Sequence, residues 1–175
     1  LPKSSKKQRL LDFGMGCART MRHFYRTHPK WELHGCDVDK AAIQFVQHAV
    51  PFVNASISHN QPPLSYPESH FDCIYSVSVF THLNRSSFAA WIEELARICA
   101  KDAVFLPTLH GSTAMDKVRD DSEFRNMIGI REKDLAYGIE EFENKGFTWM
   151  PQPVFSKDID SKQFGICFLH ADRLQ

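Results

Sequence analysis

The stretch Leu10-Leu11-Asp12-Phe13-Gly14-Met15-Gly16-Cys17-Ala18-Arg19-Thr20 decides how the whole chain is interpreted. An apolar run ends in an acid, two glycines follow one residue apart, and a helical pattern begins after them. Glycine has no Cβ, so it adopts a positive φ and lets a ligand approach the backbone closely. The pattern therefore predicts a strand, a tight turn and a helix built around a ligand site.

The position of a second acid indicates the chemical class of that ligand. Asp37 follows the next apolar run and stands 23 positions after Gly14. In open parallel sheets, a glycine turn after one strand and an acid after the next meet at the same crevice, where the acid binds ribose hydroxyls. A dinucleotide site needs the full G-x-G-x-x-G pattern, with its pyrophosphate at the helix N-terminus. Arg19 stands at the third glycine position, where it would crowd the contact between helix and strand. The spacing thus predicts an adenosine site without a pyrophosphate.

Apolar runs and helical patterns alternate along the chain, which predicts an α/β fold with a mostly parallel sheet and helices on both faces. Residues 112–131 are charged and only weakly helical. The predicted strands cover residues 9–13, 31–36, 51–57, 71–77, 103–109, 147–155 and 163–170. The predicted helices cover residues 17–26, 40–49, 88–100 and 132–145, with Gly146 ending the last one.

Length and composition exclude several classes of protein. A chain of 175 residues predicts a single domain over residues 1–175. The formal net charge of +0 gives no electrostatic reason to expect nucleic acid or an anionic membrane as a partner, and no apolar run approaches the ~20 residues of a membrane span. Five widely spaced cysteines predict reduced thiols and a cytoplasmic location, and the histidines show no metal-binding spacing. Because the chain starts almost directly on its first strand, it is expected to be a piece of a longer protein with other domains.

Four segments together resemble the class I S-adenosylmethionine-dependent methyltransferases. Leu11-Asp12-Phe13-Gly14-Met15-Gly16-Cys17-Ala18 is similar to their first motif, and Gly35-Cys36-Asp37-Val38-Asp39 to their second. The run from Phe71 to Leu83 resembles their fourth-strand motif, and Pro62-Pro63-Leu64-Ser65-Tyr66 resembles their proline-containing loop. The likeness covers about residues 9–111. It implies a Rossmann-like, doubly wound sheet of seven strands in the order 3-2-1-4-5-7-6 with the last strand antiparallel.

The resemblance also implies a cofactor, S-adenosylmethionine, and the residues that bind it. Those implied for its methionine part are Asp12, Gly14 and Gly16, with Ser76, Val77 and Ser78 beneath it. Those implied for its adenosine part are Asp37 at the ribose, and Val38 and Asn60 at the adenine. The chain departs from the family pattern in three places: Ala18 replaces a third glycine, Met15 stands where a small residue is frequent, and Asn60 stands in for an acid at the adenine amino group.

Methyl transfer from a sulfonium carbon needs a general base only when the nucleophile is a hydroxyl. His82 and His110 follow the fourth and fifth predicted strands, so each is either a catalytic base or a structural histidine. The sequence thus predicts methyl transfer to oxygen of a small-molecule or glycan acceptor. Two alternatives remain open: a nicotinamide-dependent oxidoreductase of similar layout, and a catalytically silent cofactor-binding domain in a larger protein.

Overall fold

The structure of the protein is a computed structural model that describes residues 7–153, 162–170 and 172. The end of the sixth predicted strand and the loop after it, residues 154–161, lie outside these residues. The chain divides into two compact units. The first unit consists of residues 1–77 and 90–107, and the second of residues 78–89 and 108–175. The single domain over residues 1–175 stays a prediction.

The elements alternate in type through the first part of the chain. Within the described residues the strands are β1 (Arg9–Phe13), β2 (Glu32–Asp37), β3 (Val53–Ile57), β4 (Phe71–Ser76), β5 (Cys99–Pro107), β6 (Phe147–Pro151) and β7 (Gly165–Leu169). The helices are α1 (Met21–Thr27), α2 (Lys40–Ala49), α3 (Arg85–Ile98), α4 (Ser112–Asp120), α5 (Ser122–Met127) and α6 (Glu132–Lys145).

The first unit contains a parallel sheet with strand order β3-β2-β1-β4-β5. The central strand β1 pairs with β2 on one side and β4 on the other, so that Asp12 lies opposite Gly35 and Tyr75. This confirms the first five positions of the predicted order and the Rossmann-like class of fold. Because all five strands run in one direction, the ligand-binding segments that follow β1, β2 and β4 lie at the same edge of the sheet.

Helices cover both faces of this sheet, as predicted. Leu10 on β1 belongs to an apolar cluster that includes Met21 of α1 and Ile43 of α2. Phe13 lies three residues further along β1 and therefore points to the opposite face. Its ring contacts the Trp91 ring of α3, with 4.6 Å between their centroids.

The parallel sheet has five strands rather than the seven that were predicted for it. β6 and β7 pair antiparallel, but they form a sheet of their own rather than the sixth and seventh strands of the first sheet. The free edge of β7 already has acceptors, because the N–H groups of Gly165, Cys167 and Leu169 donate to the carbonyls of His82, Thr81 and His110. In the predicted order β7 pairs with β5. In the structure, loop carbonyls of the second unit occupy that edge of β7 instead.

Two helices begin at other residues than predicted, each for a local reason. α1 begins at Met21 rather than residue 17, because Ala18 has a φ of +56° and cannot belong to a right-handed helix. α3 begins three residues early because the Asn84 carboxamide oxygen accepts a hydrogen bond from the Ser87 N–H. Residues 112–131 contain two helices, and Met115 and Val118 of α4 are buried in the core of the second unit. α6 has its predicted bounds and ends at Gly146 with a φ of +68°.

We predict that Gly35→Ala destabilises the protein through Met15. A Cβ at position 35 would lie 2.1 Å from the Met15 sulfur, and Met15 is buried in the core. The free energy of unfolding, measured by urea denaturation, should fall by about 1–3 kcal/mol, the usual cost of overpacking. The double variant Gly35→Ala with Met15→Ala should be more stable than the sum of the two single changes predicts.

Gly111→Ala is the matched control, since a Cβ there would have nothing within 4 Å. Its cost should stay below about 1 kcal/mol. If both alanine variants lose equal stability, the contact between Met15 and Gly35 is wrong.

Candidate functional site

The glycine turn after β1 is held against the end of β2 by backbone hydrogen bonds. The N–H groups of Gly14 and Met15 both donate to the Cys36 carbonyl, at 2.9 and 3.1 Å. Gly14 and Gly16 have φ values of +81° and +52°, which only glycine adopts without strain. The turn therefore has the conformation that its glycines predict, and it lies at the carboxyl ends of two adjacent parallel strands.

Asp37 connects the turn to the segment that follows β2. Its Oδ2 accepts a hydrogen bond from the Gly16 N–H at 2.7 Å, and its Oδ1 accepts one from the Asp39 N–H at 2.9 Å. Each carboxylate oxygen has a second lone pair, so Asp37 can accept further hydrogen bonds from hydroxyl groups. The cap of α2 is Asp39 instead, because its Oδ1 accepts from the N–H groups of Ala41 and Ala42. Asp37 is thus available for a ligand.

Asp12 is a buried acid with one hydrogen-bond donor. It is 3% exposed, and the Tyr75 hydroxyl donates to its Oδ2 at 2.6 Å. Burial raises the pKa of Asp12 to about 7, the Tyr75 hydrogen bond opposes this rise, and the negative charge of Asp37 adds to it. Near neutral pH the carboxyl is therefore divided between its two protonation states. Sequence reasoning missed Tyr75, whose only signal is its position across from Asp12 on the neighbouring strand.

The remaining predicted cofactor residues differ in how far they are presented to a ligand. Val38 is half-buried between Asp37 and Asp39. Ser76 is fully buried, and its hydroxyl donates to the Phe13 carbonyl at 2.9 Å, so it joins β4 to β1. Val77 and Asn60 are exposed. Ser78 belongs to the second unit, where its N–H donates to the Thr108 hydroxyl.

The second unit brings His82 to β7. The His82 Nδ1 lies 2.7 Å from the Gly165 carbonyl oxygen and 3.2 Å from Gln152 Oε1. The Gln152 amide is oriented because its Nε2 donates to the Ile128 carbonyl. Both neighbours of Nδ1 are acceptors, so the neutral imidazole has its proton on Nδ1 and its lone pair on Nε2. The imidazole also stacks on Phe164, with 4.6 Å between ring centroids.

The His110 ring contacts β7 two residues further along that strand than the His82 ring does. Its ring stacks on Phe168 and donates a hydrogen bond to the Cys167 backbone. Burial lowers the pKa of His110, so the imidazole is neutral at pH 7. Its Nδ1 is buried and has no hydrogen-bond partner among the described residues. The structure therefore brings the two predicted histidines to one strand, each with one ring nitrogen bonded to a backbone carbonyl.

Neither a metal-binding cluster nor a helix of membrane-spanning type is found in the part of the chain that the structure describes. There, no group of three or more His, Cys, Asp or Glu side chains could hold a metal ion. None of the helices in the same residues has both the length and the hydropathy of a membrane span.

Comparison with known proteins identifies the class to which this fold and this glycine turn belong. Residues 10–102, more than half of the chain, match the family model described as the methyltransferase domain. The chain therefore belongs to the methyltransferase domain family. The match confirms the resemblance to class I S-adenosylmethionine-dependent methyltransferases, and S-adenosylmethionine is the cofactor of this fold. A search of curated proteins finds no significant match.

Solved structures of methyltransferases share the fold at low sequence identity. PKMT2 of Rickettsia typhi, solved with AdoHcy, matches 82% of this chain with a TM-score of 0.58 and 16% identity. The protein solved in complex with the Haloferax volcanii Trm112 methyltransferase activator matches 90% with a TM-score of 0.56 and 16% identity. An S-adenosylmethionine-dependent methyltransferase of Mesorhizobium loti matches 63% with a TM-score of 0.50 and 19% identity.

These proteins differ in how much of their own length the chain covers. The chain spans 29% of the Rickettsia protein, 50% of the Mesorhizobium protein and 70% of the Haloferax protein. It thus corresponds to a minor part of the first of them.

We predict that Asp12 makes the stability of the ligand-free protein depend on pH. Its pKa is about 7 in the folded chain and ~4 in an unfolded one, so the folded state binds more protons between these values. Folding is therefore penalised progressively as pH rises from about 4 to 7. Asp12→Asn removes the penalty, and its free energy of unfolding relative to wild type should rise over this range by at most about 4 kcal/mol.

Urea denaturation of both proteins from pH 4 to 8 measures this difference. Tyr75→Phe is the companion variant: without its hydroxyl, the pKa of Asp12 rises further, and the difference should level off at a higher pH. A stability difference between Asp12→Asn and wild type that is constant from pH 4 to 8 would contradict the assignment.

Proposed function

We propose that this chain binds S-adenosylmethionine at the carboxyl ends of β1 and β2 and transfers its methyl group to an oxygen acceptor of small-molecule or glycan type. The observation that carries the proposal is the Asp37 carboxylate bonded to the Gly16 N–H at the glycine turn. It couples a backbone conformation that admits a ligand to an acid that can bind ribose hydroxyls. The family match supports methyl transfer over the nicotinamide-dependent alternative.

The charges around the turn fit this cofactor. Asp12 and Asp37 are close enough for the charge of Asp37 to raise the pKa of Asp12. Two acids beside a glycine turn would repel a pyrophosphate but attract a ligand with positive charge. S-adenosylmethionine carries such a charge on its sulfur, where it holds the methyl group that it supplies. An approaching cation would favour the ionised form of Asp12.

The residues that would hold the cofactor follow from this arrangement. The Gly14–Gly16 turn would support the methionine part, with Asp12, Ser76, Val77 and Ser78 as the other residues proposed there. Asp37 would accept the ribose hydroxyls, and Val38 and Asn60 would contact the adenine. Asp12 and Ser76 are buried, so their contribution is to the shape and charge of the site floor.

His82 is the better supported of the two proposed catalytic bases. The acceptors at its Nδ1 leave the lone pair on Nε2, which is the form that removes a proton from a hydroxyl. Burial lowers the pKa of His110, but its unpartnered Nδ1 is buried. A base is needed for hydroxyl acceptors, so this geometry supports an oxygen target. The five free cysteines support the proposed cytoplasmic location.

The Asp37→Ala variant tests the proposed cofactor site. Asp37→Ala removes a charged acceptor from the turn and from the ribose, so the affinity for S-adenosylhomocysteine, measured by calorimetry, should fall about 10- to 100-fold. Asp39→Ala is the matched control from the same segment, because it removes only the cap of α2. It should lower the free energy of unfolding by about 1 kcal/mol and leave the affinity unchanged. Equal affinities for wild type and Asp37→Ala would refute the proposed site.

The His82→Gln variant tests the proposed catalytic base. With hydroxyl-bearing acceptors, His82→Gln should lower kcat about 100-fold or more while the affinity for S-adenosylhomocysteine stays the same. His110→Gln is made in parallel and should have the smaller effect. The measurement is methylation of a panel of phenols, sugars and oligosaccharides. Wild-type protein that binds S-adenosylhomocysteine but methylates none of them would favour the silent binding domain.

A further inference from the structure

A loop segment between β3 and β4, residues 58–66, borders the proposed cofactor site. We refer to it as the proline segment. It begins beside Asp37, since the Ser58 N–H donates to the Asp37 carbonyl at 2.9 Å and Ser58 is buried. Asn60, the proposed adenine contact, follows two residues later. The position of this segment therefore bears on the adenosine end of the site.

Two charged side chains of α3 hold the far end of the proline segment. Glu94 Oε1 accepts a hydrogen bond from the Leu64 N–H at 2.8 Å, and Arg97 Nη2 donates to the Tyr66 carbonyl at 3.0 Å. Glu94 and Arg97 also bind each other through two hydrogen bonds of 2.7 and 2.8 Å. They form a clamp that holds the backbone of residues 64–66 through both a donor and an acceptor.

The burial of Glu94 is costly unless the clamp is intact. Glu94 is 6% exposed, and a buried carboxylate needs a partner for its charge and for its lone pairs. Arg97 meets this need and holds the pKa of Glu94 below its usual value. An exposed pair on the same helix would avoid the cost of burial, so this pair is best explained by the segment that it holds.

Apolar packing alone does not fix the backbone here. The Leu64 side chain is buried, and the Tyr66 ring packs on Phe71 with 4.8 Å between ring centroids, so both side chains anchor the end of the segment. Beside it the segment stands away from α3 and leaves a hollow of about 350 Å³, lined by Pro62, Pro63, Ala90, Glu93, Glu94 and Arg97. The clamp therefore contributes to the backbone position where side-chain packing is incomplete.

We propose that Glu94 and Arg97 are positioning residues for the adenosine end of the cofactor, acting through the proline segment and Asn60. The inference rests on the proposed function. With the clamp intact, the segment is held in place before the ligand arrives, and binding loses less conformational entropy. Without it, the segment must be ordered when the ligand binds.

The experiment compares two ligands that share the adenosine end. S-adenosylhomocysteine contains the amino acid part, and 5′-methylthioadenosine lacks it. Calorimetry on wild type, Glu94→Gln and Arg97→Met should show both ligands weakened by the same factor, about 5- to 10-fold. In the Glu94→Gln background, Asn60→Ala should cost less affinity than it does in wild type, because the two changes act on one contact.

Arg131, the residue before α6, and Asp134 in its first turn provide a control, since they also form an ion pair three residues apart. Asp134→Asn should leave both affinities unchanged. Arg97→Lys keeps the ion pair with fewer donors to the segment, so it tests the proposal if Arg97→Met does not fold; it should weaken both ligands less.

Four outcomes overturn the inference. Glu94→Gln with a lower Tm and unchanged affinities would make the clamp purely structural. If Glu94→Gln weakens the binding of S-adenosylhomocysteine but not of 5′-methylthioadenosine, the clamp acts on the amino acid end of the cofactor instead. Fully additive effects of Glu94→Gln and Asn60→Ala would exclude action through Asn60. Wild-type protein that binds neither ligand would refute the proposed function and this inference with it, which distinguishes the two failures.

Discussion

The arrangement of the donor site depends on one carboxylate. Asp37 accepts hydrogen bonds from the N–H of Gly16 and the N–H of Asp39, so one side chain joins the turn after β1 to the start of α2. Backbone N–H groups bonded to a carboxylate make short, charge-assisted hydrogen bonds. They hold the turn in a positive-φ conformation that would otherwise be one of several that glycines adopt. The proposed ligand site is therefore formed in the protein before a ligand is present.

The two acids of the site have different roles because their surroundings differ. Asp37 is partly exposed and accepts hydrogen bonds from two backbone donors. Asp12 is buried and has the Tyr75 hydroxyl as its donor, so its charge is costly. A site with one partly exposed carboxylate and one whose charge responds to its surroundings suits a cationic ligand. Protonation of Asp12 relieves the repulsion in the absence of that ligand.

Much of the first unit could be predicted from the sequence because its signals are local. β1 and α2 follow from apolar runs, glycines and a helix cap, and the order of the first five strands follows from the resemblance to the class I methyltransferases. The pairing of β6 with β7 as a separate sheet could not be predicted, because it depends on which carbonyls meet the N–H groups of Gly165, Cys167 and Leu169. The late start of α1 was missed for a related reason: alanine is a strong helix former, and only the turn places Ala18 at a φ of +56°.

The donor and acceptor sides of the proposed reaction differ in how directly the sequence encodes them. The donor turn is made of backbone, and backbone conformation follows from residue types within a few positions, so a short motif identifies it. The tautomer of His82 depends on Gly165, 83 positions away, and on Gln152, 70 positions away. The clamp on the proline segment likewise joins residues about 30 positions apart. Side-chain chemistry of this kind exists only after folding, whereas the donor class follows from a motif of adjacent residues.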